Sequence, residues 1–142
     1  GGLDLSSDAR NDLLRRIANR AGESGILTSF FIEPSVHDVE LSAQLGARAV
    51  ELHTGALCVA IQAGNQTQVK QDWQKLLDAV SKGKALGLLV HAGHGIDRAI
   101  AQKLATIPEI IEYNIGHAIV CDAVFMGIRE ATRQMKAAIS NR

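Results

Sequence analysis

Aromatic residues are scarce in this chain of 142, with one Trp, one Tyr and three Phe making up 4% of it. A groove for single-stranded nucleic acid needs aromatic platforms on which bases stack, so this composition argues against that function. Charge of one sign is missing too. Fifteen Lys and Arg balance fifteen Asp and Glu, and no basic stripe interrupts the balance, which speaks against non-specific phosphate-backbone binding. Apolar runs such as residues 85–90 are too short to span a bilayer, and no signal-peptide pattern opens the chain. The only two thiols, Cys58 and Cys121, lack metal-site spacing. Each reads as a buried small hydrophobe, and a cytoplasmic location is expected. No HExxH, CxxC or GxSxG motif occurs, nor GxGxxG in dinucleotide context.

What the chain has is aliphatic bulk. Hydrophobic residues reach 46%, enough for one domain with a core of Ala, Leu, Ile and Val. Leu13, Leu14, Ile17, Ala18 and Ala21 recur at helical spacing over 8–21. Strands are expected at 25–32, 47–53, 87–91 and 112–115. Helices are expected at 35–45, 66–86, 96–106 and 121–140, the last carrying Val124, Phe125, Ile128, Ala131 and Met135 on its apolar side. The stretch 56–65, ending in Gly64-Asn65, reads as one long loop and a candidate lid. A helix followed by four βα units implies a parallel sheet with right-handed crossovers. Such a sheet is either a small doubly wound sheet or half of an eight-stranded barrel. The barrel half is favoured, because polar groups gather where the later strands end and because the chain opens on a helix.

Those polar groups centre on two Gly-His turns, His91-Ala92-Gly93-His94-Gly95 and Asn114-Ile115-Gly116-His117-Ala118. Each follows an apolar run and precedes a helix, a place that combines free N–H donors, close backbone approach and an imidazole that titrates near neutrality. His94 is a candidate proton donor, the alternative being a capping histidine. Gly116 and His117 are a candidate phosphate seat, the alternative being a plain βα turn. Glu51, within Ala49-Val50-Glu51-Leu52-His53, places a carboxylate in a strand that should be apolar, so it is either functional or half of a structural ion pair. Alternation puts it on one face with His53, and its expected partners are cationic or donor groups, His53 or bound substrate. Asn114 shares a face with Glu112 in the same way. His91 reads as a structural residue, the alternative being support of the site, and His91 with His94 lacks the carboxylate that a metal site would need. His37, Arg15, Arg16, Arg129 and Arg133 read as solvated surface.

Taken in order, Gly1-Gly2-Leu3-Asp4, Glu51-Leu52-His53-Thr54-Gly55, Ala92-Gly93-His94-Gly95 and Asn114-Ile115-Gly116-His117-Ala118-Ile119 resemble the pyridoxine 5′-phosphate synthase family along the whole chain. The resemblance implies a (β/α)8 TIM barrel, of which this single segment is the C-terminal four βα units, assembled as a homo-octamer. It also implies vitamin B6 synthesis, in which 1-deoxy-D-xylulose 5-phosphate condenses with 3-amino-2-oxopropyl phosphate as the pyridine ring closes and phosphate and water leave. By the same resemblance His94 is the proton donor and Glu51 the glutamate that stabilises the transition state. Gly95, Gly116 and His117 bind the aminooxopropyl phosphate, and no metal or cofactor is implied. His91 departs from the family, which more often has Asn there. The family's other catalytic histidine and glutamate belong to the N-terminal half of the barrel, the expected partner, without which this segment is inactive. Two competing readings remain. One is a non-catalytic phosphate-binding or assembly module. The other is an aldolase-like barrel, although no strand carries the Schiff-base lysine it would use.

Overall fold

The computed structural model describes residues 1–140. Helix α1 (Asp8–Glu23) starts where the Ser7 hydroxyl accepts from the Arg10 N–H. Three βα units follow: β1 (Ser29–Ile32) with α2 (Val36–Gln44), β2 (Ala49–His53) with α3 (Gly55–Gln62) and α4 (Gln66–Ala85), and β3 (Leu89–Gly93) with α5 (Arg98–Leu104). The last of the described residues form β4 (Ile110–Asn114), α6 (His117–Met126) and α7 (Ile128–Ser140). Ser35, Asn65 and Asp97 cap α2, α4 and α5 by accepting from the backbone N–H three residues on.

All strands run parallel in the order β1-β2-β3-β4. A doubly wound sheet requires that order to reverse, and it does not. With right-handed crossovers, an unreversed order stacks the connecting helices on one face. Burial follows the same division. Val50 and Leu52 on β2, and Val90 and Ala92 on β3, lie buried with Val39, Leu76, Val80 and Ile100 from the helices. The alternate residues Phe31, Glu51, His53, His91, Gly93, Glu112 and Asn114 share the opposite face. Along its β1 edge the leading segment adds one bond, the Leu3 N–H donating to the Phe31 carbonyl at 2.7 Å.

Three expectations are corrected. Residues 56–65 are mostly helical, because Leu57, Cys58 and Ala60 are buried and the Thr54 carbonyl accepts from the Cys58 N–H. The stretch is therefore not a loop. The expected single helix over 121–140 is two, and the first begins earlier, at His117. Gly127 breaks them with φ 81°, a left-handed conformation that suits glycine. The break separates Val124 and Phe125, 77% and 90% exposed, from the buried Ala131 and Met135, and the exposed Ile128 opens the second helix. Strand β3 also runs two residues further than expected, through Gly93.

Two helical glycines make opposite predictions. Gly22 has open space around it, so Gly22→Ala should stabilise the protein by about 0.5 kcal/mol through helix propensity. Gly83 lies buried on α4, where an added Cβ would sit 2.8 Å from the Val90 Cγ2. Gly83→Ala should therefore cost about 1–3 kcal/mol despite alanine's better propensity. Urea unfolding of both variants checks the opposite signs.

Candidate functional site

A cleft of ≈ 730 Å³ opens beyond the carboxyl ends of β2, β3 and β4. Glu51, His94, Gly95, Gly116 and His117, five residues singled out from the sequence, all line it, joined by Asn114, Phe31, Gln62 and Asp97. A volume of this size lies within the ordinary range for small-ligand sites.

His94 is held in an unusual conformation. Its φ is 75°, the one positive φ outside glycine among the described residues. A side chain there costs on the order of 1–2 kcal/mol, and such strain persists only where the surroundings impose it. Thr54 imposes it. This residue is 1% exposed, and its hydroxyl proton lies between the Gly93 and His94 carbonyls, with Oγ1 at 2.9 and 2.7 Å from the two oxygens. The Thr54 N–H also donates to the Gly93 carbonyl at 2.9 Å. Space at the turn is tight. A Cβ on Gly55 would stand 3.0 Å from the His94 ring, and one on Gly95 3.1 Å from the Cys58 Cβ. The Cys58 thiol itself is pushed up in pKa by burial, with the Thr54 hydrogen bond a smaller opposing effect. It therefore stays protonated near neutrality and is no nucleophile.

His53 packs against His94 with ring centroids 4.6 Å apart, and Phe31 and His53 meet edge-to-face at 5.2 Å. The Glu33 Oε1 stands 2.9 Å from the His53 Nδ1 but out of line for a hydrogen bond. The expected pairing of Glu51 with His53 is thus not formed. Instead the Asn114 Nδ2 donates to the Glu51 Oε2 at 2.8 Å. Glu51 is half-buried rather than enclosed, because the face it occupies carries no helix. His91, buried at 8% exposure, has its Nδ1 3.6 Å from the Glu112 Oε1. Glu112 and Asn114 therefore share a face as expected and take separate partners.

Helix α6 begins at the cleft with no side chain capping its first turn. Its leading N–H groups are the donors with which a helix start binds an anion. No Lys or Arg lines the cleft. Arg98 borders an adjoining cavity, 3.4 Å from Asp122. Cys121 is exposed, against the expectation of burial, and lies 3.5 Å from the His117 Nε2. Among the described residues no group of three or more His, Cys, Asp or Glu could hold a metal, and no helix is long and apolar enough to cross a membrane. Sequence reasoning missed Thr54 and Asp97. Their signal was position, Thr54 directly after a strand and Asp97 at a helix start.

Fold and site together define a singly wound parallel α/β protein whose reactive groups collect beyond the strands' carboxyl ends. The chain belongs to the family described as "Pyridoxal phosphate biosynthesis protein PdxJ", which it matches over residues 1–141. It is 40% identical over 140 residues to the pyridoxine 5′-phosphate synthase of Rhodopseudomonas palustris strain BisB18, covering 99% of this chain and 54% of that relative. The enzyme of the same name from Xanthobacter autotrophicus is 41% identical over 140 residues, again 99% and 54%, and that from Opitutus terrae 41% over 136, covering 96% and 53%. The chain spans about half the length of the curated relatives it matches.

The strain at His94 is measurable. His94→Gly should be more stable than His94→Ala by about 1 kcal/mol, since only glycine adopts this φ freely. Equal stabilities in paired thermal melts would remove the strain argument.

Proposed function

We propose that this chain is the C-terminal four βα units of a (β/α)8 barrel acting as a pyridoxine 5′-phosphate synthase in vitamin B6 synthesis. The substrates are 1-deoxy-D-xylulose 5-phosphate and 3-amino-2-oxopropyl phosphate, and the products pyridoxine 5′-phosphate, phosphate and water. One observation carries the reading: His94, Glu51, Gly95, Gly116 and His117 converge on a single cleft in a chain of this family. The unreversed strand order is how half of a barrel is wound.

Each residue has a role that its surroundings support. The N-terminus of α6, from Gly116 and His117, takes a substrate phosphate through backbone N–H groups. Gly95 leaves the backbone bare beside it. The His94 imidazole, fixed by the strained turn, donates a proton to a departing oxygen as the ring closes. The Glu51 carboxylate stabilises the cationic imine-like species formed on the way, more than it stabilises the neutral ground state. Because no Lys or Arg lines the cleft, the second phosphate is met by residues of the barrel's N-terminal half, this chain's partner in the assembled enzyme. Exposed Val124 and Phe125 offer apolar area for contact between copies, in keeping with a homo-octamer in the cytoplasm.

The test is product formation from the two phosphorylated substrates by the complete protein. His94→Asn should lower turnover by on the order of 10²-fold with the fold intact. Glu51→Gln should lower turnover with little change in stability, because it keeps the side chain's shape and removes its charge. A complete protein that binds phosphate at α6 but forms no product would instead be a binding module.

A further inference from the structure

Glu51 and Asn114 meet across a strand that separates them. Glu51 belongs to β2 and Asn114 to β4, with β3 between. Adjacent strands lie about 4.8 Å apart, so two side chains on alternate strands ordinarily face whatever residue projects from the middle one. Here that residue is Gly93, register partner of both His53 and Asn114. A Cβ on Gly93 would stand 1.9 Å from the Glu51 Oε1 and 3.3 Å from the Asn114 Cβ. The carboxylate thus occupies the space that any other residue's side chain would fill.

A second feature brings Asn114 into that row. Val90 pairs with Ile110, yet His91 pairs with Glu112, so the ladder between β3 and β4 shifts by one residue. Without the shift Gly93 would face Tyr113 instead of Asn114. A one-residue slip exchanges the two faces of a strand. The irregularity therefore turns Glu112 and Asn114 towards Glu51's face and leaves Tyr113 among the core-packed residues.

We propose that Asn114 is the positioning residue for Glu51, holding its carboxylate over the gap at Gly93. The inference rests on the function proposed above and adds a residue to it. Among the described residues Asn114 is the hydrogen-bond donor to Glu51, and it engages Oε2 alone. The choice of an amide has a chemical reason. Arginine or lysine here would hold the carboxylate and also cancel the charge that a developing cation needs, whereas a neutral amide fixes the geometry and leaves the charge in place.

The complete protein provides the test, with a readout that does not require turnover. Asn114→Ala should lower kcat on the order of tenfold to a hundredfold with KM for either substrate little changed, the signature of a misplaced reacting group. Combined with Glu51→Gln it should add almost nothing to the loss from Glu51→Gln alone, because both variants remove one interaction. Unchanged kcat in folded Asn114→Ala, or losses that multiply, would overturn the proposal. Independently, the Asn114 side-chain amide signals in a ¹⁵N-labelled sample should move when Glu51 is replaced by Gln, in a protein whose Asn114 is intact. Signals that stay in place would show that the contact is absent. If the unsubstituted protein forms no product while those signals do move, the proposed function fails and the contact stands.

Discussion

Four parallel strands wound in one direction oblige every crossover helix to the same side, and that constraint shapes the rest of the molecule. The helix-facing residues form a core of Val, Leu, Ile and Ala. The opposite face is released from packing and can carry Glu51, His53, His91, Glu112 and Asn114. A doubly wound sheet would have needed apolar residues on both faces, and a carboxylate at position 51 would then have stood unpaired against a helix. One-sided winding is thus what makes a polar site on a parallel sheet tolerable.

The site is built from backbone as much as from side chains. Thr54 ties the end of β2 to the turn after β3 with one hydroxyl and one N–H, and His94 is carried in a conformation that few side chains adopt. Glycines at 55, 93 and 95 keep the space into which His53, Glu51 and Cys58 pack. The conformation that presents the imidazole is one in which glycine would be more comfortable, an arrangement expected where local strain serves chemistry.

Much of this was legible in the chain itself. Strand and helix order followed from apolar periodicity, and the Gly-His turns marked the ends of β3 and β4, because turn chemistry and helix starts are local properties. Misreadings arose where local signals conflicted. Thr54-Gly55 and Gly64-Asn65 suggested a loop, but burial of Leu57 and Cys58 makes α3 helical. The apolar pattern over 121–140 suggested one helix, but Gly127 turns it into two.

By itself the sequence determined a parallel α/β chain and marked His94, Glu51, Gly116 and His117 as candidates, with Gly95 added by family resemblance, since residue type and short-range spacing are local properties. Only the tertiary structure decided who meets whom. The partner of Glu51 is Asn114 and not His53, because the partner depends on a register shift between β3 and β4 and on the missing side chain of Gly93. Neither is a local property. Register is settled by how two distant segments pair, and a contact across a strand exists only once three segments are assembled side by side.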